Sequence, residues 1–120
     1  MALPAKRVLR SFGYAFEGLA AILRTTPNFW VHVGLAVIAL ALSLVLRLPL
    51  PEVALVVLTI AVVLAVEAFN TALENLCDVA TPEYHPLVKR AKDISAAAVL
   101  IAAIGALAVA ALLFLPHLPR

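Results

Sequence analysis

Two uncharged apolar runs constrain this chain more than any other feature. The first extends from Thr25 to Leu46 and contains one histidine, His32. The other extends from Ile94 to Pro116. Each exceeds the roughly 20 residues a helix needs to cross a bilayer. Neither reads as a cleaved signal peptide, because the first starts too far in and lacks a small-residue cleavage site. The wider composition agrees. Hydrophobic residues make up 65% of the 120 positions and charged ones 13%. An ordinary soluble domain is roughly 45–50% apolar and about 25% charged. A soluble core of this size could not hide so much apolar surface. Disorder, a disulfide scaffold and a soluble enzyme are thereby excluded. Cys77 is the single cysteine and gives no metal-ligand pattern.

A third apolar stretch, Val53 to Val66, has only fourteen residues. At about 1.5 Å per residue it reaches about 21 Å, short of a ~30 Å hydrocarbon core. Completing the crossing takes in Glu67-Ala68-Phe69-Asn70-Thr71-Ala72. Glu67 is then expected inside the membrane edge; the alternative is a buried or re-entrant helix. Spans are expected at about 29–48, 53–78 and 90–115. Residues 5–24 read as an amphipathic helix in the membrane plane. Val8, Phe12, Ala15, Leu19 and Ile22 lie on one face and Arg7, Arg10, Tyr14, Glu17 and Arg24 on the other. The fold class expected is an all-α integral membrane protein, one unit over 1–120, with this surface helix and three transmembrane helices.

Charge placement orients it. Seven of the nine Lys and Arg (Lys6, Arg7, Arg10, Arg24, Lys89, Arg90 and Lys92) lie before the first span or between the second and third. The positive-inside rule puts the N-terminus and the 78–92 loop in the cytoplasm and the C-terminus outside. His32, at the start of the first span, is expected to be an interfacial residue. Phe29 and Trp30 fit an interfacial aromatic belt.

The polar minority is patterned. Glu67, Asn70, Glu74 and Asp78 are spaced three, four and four apart. On a helix they fall within a stripe about 80° wide. A charge within the membrane costs at least about 2.5 kcal/mol unless paired or hydrated. This stripe should therefore face protein or a wet cavity. Lys89, Lys92 and Asp93 open the third span, and the turn-rich Thr81–Pro86 connection makes the two helices antiparallel neighbours. Lys92 and Asp93 are expected beside the stripe. Carboxylates with an amide suit a hard divalent cation such as Mg²⁺. A carboxylate in an apolar site can act as a general base, and a lysine can neutralise phosphate oxygens. Together they suit phosphoryl transfer, where positioning and charge neutralisation dominate. No Walker-type or protein-kinase glycine loop is present. A structural ion network and a proton-coupled transporter carboxylate fit the same pattern.

The run Glu67-Ala-Phe-Asn70-Thr-Ala-Leu-Glu74-Asn-Leu-Cys-Asp78, with Tyr84-His85-Pro86-Leu87-Val88-Lys89-Arg90-Ala91-Lys92-Asp93, resembles the signature of the bacterial prokaryotic-type diacylglycerol kinase family. The likeness extends from Arg7 and Gly13-Tyr14-x-x-x-Gly18 to the third span. Thr81-Pro-Glu-Tyr-His-Pro-Leu and Phe114-Leu-Pro are more similar to its undecaprenol kinase branch. The resemblance implies an ATP- and Mg²⁺-dependent lipid kinase of the bacterial cytoplasmic membrane, phosphorylating undecaprenol or diacylglycerol. It also implies a homotrimer with active sites shared between subunits, and no nucleic-acid partner. Glu67 would be the base and Asn70 would orient the site. Glu74 would bind the metal that bridges the ATP phosphates. Lys92 and Asp93 would contact the nucleotide, with Arg7, Tyr14, Glu83, Tyr84 and His85 contributing. One position departs from the family pattern: a second metal-binding glutamate is replaced by Thr26, in Thr25-Thr26-Pro27-Asn28. Either another group, Asp78 or Glu17, makes up for it, or the protein is a weakened relative of these kinases.

Overall fold

A computed structural model describes residues 4–120; the first three positions of the 1–120 unit lie outside it. Four α-helices account for nearly all of the described chain: α1 (Ala5–Thr25), α2 (Pro27–Val45), α3 (Leu50–Ala80) and α4 (Pro86–Phe114). A single 3-10 turn, Leu115–His117, follows α4. Three of the helices, α2, α3 and α4, are long and apolar enough to cross a membrane.

Prolines set the boundaries. Thr26 precedes Pro27 and is extended (φ −120°, ψ 93°), as the residue before a proline tends to be. Pro27 then opens α2, where its missing N–H costs nothing. The corner is closed by Trp30, whose indole Nε1 donates to the Leu23 carbonyl at 2.7 Å. That carbonyl belongs to the last turn of α1, where carbonyls lack helical partners. Ile22 and Phe29 are buried at the same corner. Phe29 and Trp30 therefore build the α1–α2 joint.

The α2–α3 turn has a different stop. Leu48 N–H donates to the Ser43 carbonyl at 3.0 Å and Arg47 N–H to the Leu44 carbonyl at 3.2 Å. This pair of bonds is a Schellman cap. The left-handed residue is Arg47 (φ 53°), where such caps favour glycine because any Cβ is crowded there. Arg47→Gly is expected to stabilise the fold by about 0.5 kcal/mol, the relief of strain exceeding the added freedom of the unfolded chain. Thermal unfolding in detergent measures it, and a lower melting temperature contradicts it.

α3 runs unbroken for 31 residues, about 46 Å. The short apolar stretch is thus completed as helix through Glu67 and on to Asp78. After Thr81 the chain turns at Pro82, and α4 starts at Pro86. Its N-cap is His85, whose Nδ1 accepts from Leu87 N–H at 3.1 Å. α3 and α4 pack together most extensively, α2 packs on α3, and α1 packs on α2. A small core of Leu48, Val56 and Phe114 forms at the end of the bundle remote from the carboxylate stripe. There His117 Nε2 approaches Glu52 Oε2 at 3.7 Å, linking the end of α4 to the start of α3. Leu35, Ile38, Leu58, Leu100, Ile104 and Leu107 stay exposed. Contiguous apolar surface of that extent marks contact with lipid or another protein surface.

Candidate active site

The unbroken α3 places four polar groups at successive levels. Deepest is Glu67, 4% exposed and the most buried charged residue described. Its Oε2 lies 3.6 Å from His32 Nε2 on α2. His32 thus partners the buried carboxylate and is not merely an interfacial residue. One signal in the sequence pointed to it: His32 is the only titratable side chain in the first long apolar run, and ionisable groups within membranes face partners.

One turn along α3, Asn70 Nδ2 donates to Glu74 Oε1 at 3.5 Å, a long bond. The amide oxygen of Asn70 is buried and has no hydrogen-bond partner among the described residues. Glu74 is exposed, seven residues from Glu67, an axial separation of about 10.5 Å. The two carboxylates therefore occupy separate environments, one enclosed and beside an imidazole, the other open and beside an amide.

Nearest the loop, Lys92 Nζ donates to Asp78 Oδ1, joining α4 to the stripe as expected. Asp93 does not join it. Its Oδ2 accepts from Lys89 Nζ at 2.6 Å, an i,i+4 pair exposed on the outside of α4. Neighbouring helical residues point about 100° apart, so Lys92 and Asp93 could not both face α3. A cavity of about 580 Å³ opens beside this end, and Asp78, Glu83, Tyr84, His85, Lys89 and Lys92 contribute to its lining. Four of the expected nucleotide contacts, Glu83, Tyr84, His85 and Lys92, are thus brought together. Arg7 and Tyr14, exposed on α1, do not line it.

A second space, a groove of about 420 Å³, runs between α2, α3 and α4. It is almost wholly apolar and extends from His32 past Ala39, Ile60 and Ala106 to Phe114. His32 belongs both to this groove and to the Glu67 contact. The site is thus amphiphilic: an apolar groove reaches His32, the neighbour of the buried carboxylate, and a polar cavity opens at the other end of the stripe.

Mg²⁺ is bound by oxygen, mostly through one or two carboxylates plus substrate phosphates and water. Glu74 and the unpartnered Asn70 oxygen fit such a shared ion. Among the described residues, no three His, Cys, Asp or Glu converge on a self-contained metal site. Asp78 is engaged by Lys92, and Thr26 sits at the α1–α2 corner as the cap of both helices.

Residues 13–114 match the family described as Prokaryotic diacylglycerol kinase, and the chain belongs to that family. Among its relatives is a diacylglycerol kinase of Synechocystis, 40% identical over 95% of this chain and 66% of that protein. The chain therefore spans just under two thirds of that relative's length. An undecaprenol kinase of Bacillus subtilis is 35% identical over 93% of this chain and 91% of its own. A diacylglycerol kinase of Escherichia coli K12 is 32% identical over 92% of this chain and 91% of its own.

Proposed function

We propose that the protein is a lipid kinase of the bacterial cytoplasmic membrane that transfers the γ-phosphoryl group of ATP to the hydroxyl of a membrane lipid alcohol. The observation that carries this is the stripe of α3. A buried carboxylate touches His32 at the end of an apolar groove, one helical turn from the Asn70 amide and two from the exposed Glu74 carboxylate. Family membership and the named activities of the relatives support the same reading.

The lipid tail lies in the groove and brings its hydroxyl to Glu67. Glu67 accepts the hydroxyl proton as the oxygen attacks the γ-phosphorus. The bond from that phosphorus to the bridging oxygen breaks, and ADP leaves with the electron pair. Asn70 and Glu74 would hold the Mg²⁺ that accompanies ATP, which would supply charge neutralisation at the phosphates. Lys92 gives its ammonium to the phosphates, shared with Asp78, while Glu83, Tyr84 and His85 enclose the nucleotide at the loop. Asp93 acts there only after releasing Lys89. The N-terminus and the 78–92 loop face the cytoplasm, where ATP is found.

α1 lies on the membrane surface. Its apolar residues Val8, Phe12 and Leu19 are exposed in the single chain and need a cover. Arg7 and Tyr14 stand away from the loop cavity of their own chain. That favours a homotrimer in which neighbouring copies complete each nucleotide site. Both undecaprenol and diacylglycerol fit the acceptor role, and the local motifs favour undecaprenol.

The test is phosphate transfer from radiolabelled ATP to a panel of lipid alcohols in mixed micelles. ATP- and Mg²⁺-dependent label in undecaprenol or diacylglycerol is expected. Failure to label either refutes the reading. Thr26 supplies a further test. A hydroxyl is a poorer Mg²⁺ ligand than a carboxylate, and ligand charge tunes metal affinity. Thr26→Glu is expected to lower the Mg²⁺ concentration for half-maximal turnover several-fold. An unchanged Mg²⁺ dependence means the missing carboxylate is not limiting.

A further inference from the structure

His32 touches the buried carboxylate of the site but takes no direct part in the phosphoryl transfer. Between Thr25 and Leu46 every other side chain is uncharged at all ordinary pH values. An imidazole there carries the cost of a polar group in an apolar layer, and such groups persist where they have a partner. Its partner is Glu67. The two side chains are 18% and 5% exposed, with Nε2 and Oε2 3.6 Å apart. That is longer than a hydrogen bond, but catalytic contacts in unliganded sites are often long and tighten when substrate binds.

No lysine or arginine among the described residues comes within 4.0 Å of the Glu67 carboxylate. The lysines of α4 are paired at the loop end of the bundle, Lys92 with Asp78 and Lys89 with Asp93. His32 is therefore the basic side chain that faces Glu67. It is also the residue at which the apolar groove meets the carboxylate.

We infer that His32 is a positioning residue for Glu67: its Nε2–H holds Oε2 of the carboxylate, so that Oε1 is aimed at a lipid hydroxyl arriving from the groove. The inference rests on the lipid-kinase reading and adds a residue to it. A neutral imidazole donates from one ring nitrogen. It therefore fixes the carboxylate rotamer without occupying both oxygens. Without that donor a buried carboxylate is free to rotate about its last bonds. A misplacement of about 1 Å at a reacting group can cost on the order of 10²-fold in rate.

The experiment compares His32→Leu, which lacks a donor, with His32→Gln, whose amide N–H reaches about as far as Nε2–H. Both are purified in detergent beside the wild type and Glu67→Gln. Turnover and KM are measured for ATP and for diacylglycerol or undecaprenol, and folding is followed by thermal melting. His32→Leu is expected to lower kcat by about 10–100-fold, with the KM for ATP within about twofold of wild type. His32→Gln is expected to recover most of the loss. A side chain that only fills space would not distinguish the two by their donor. If His32→Leu does not fold, His32→Met supplies the donor-free arm.

Wild-type kcat in a donor-free variant overturns the inference. So does equal loss in the Gln and donor-free variants, or a change confined to the KM for ATP. The underlying reading fails separately, if the wild type phosphorylates no lipid alcohol or Glu67→Gln remains fully active.

Discussion

Glu67→Gln is expected to lower lipid phosphorylation by about 10²–10⁴-fold, the range general-base catalysis contributes. The substitution keeps the shape of the side chain and removes its proton affinity. Glutamine also relieves the cost of a charge at a position only 4% exposed, because a neutral amide is cheaper to bury than a carboxylate. The fold should therefore survive, with a melting temperature equal to or above wild type. ATP binding at the loop cavity, two or more turns away along α3, should also persist. A large loss of rate in a stable protein that still binds ATP separates catalysis from folding. A Glu67→Gln protein with wild-type turnover removes this residue from the base role.

The second large effect is expected at Glu74. Glu74→Gln keeps the amide contact with Asn70 within reach but removes the negative charge that would hold Mg²⁺ against the phosphates. Removing one preorganised electrostatic contact from a transition state typically costs about 10²–10³-fold in kcat, and a similar loss is expected here. Unlike the Glu67 variant, this one should also need more Mg²⁺, because the ion loses a charged ligand while Thr26 already offers none. Raising Mg²⁺ should recover part of the Glu74→Gln loss and none of the Glu67→Gln loss. Titrating turnover against Mg²⁺ in both variants checks this. Parallel Mg²⁺ profiles would contradict the separate roles given to two carboxylates about 10.5 Å apart on one helix.

Much of this was legible in the residues, for identifiable reasons. Pro27, Pro49, Pro51 and Pro86 mark helix starts because proline is tolerated in a first turn and nowhere deeper. The stripe from Glu67 to Asp78 follows from helical periodicity alone once α3 is continuous. The meeting of Asp78 with Lys92 follows from the short connection between antiparallel helices. What stayed hidden depends on how helices rotate against each other. Glu67 lies beside His32 because of the register of α2 on α3, and spacing along either helix does not encode that register. Asp93 turns to Lys89 because a step of one residue rotates the side chain by about 100°. The Arg47 cap was hidden because the left-handed turn carries no glycine. The indole of Trp30 and the buried ring of Phe29 fit a membrane belt by type, and only the folded corner shows that they close the α1–α2 joint.

The activity proposed for this membrane protein is transfer of phosphate from ATP to a lipid hydroxyl through the carboxylate at position 67. Its most direct measurement is label transfer from γ-labelled ATP into extracted lipid by the purified protein in micelles, with Glu67→Gln beside it. A labelled phosphomonoester of the lipid alcohol is expected with the wild type, dependent on Mg²⁺ and nearly absent with the variant. Unlabelled lipid with the wild type, or equal labelling by both proteins, would contradict it.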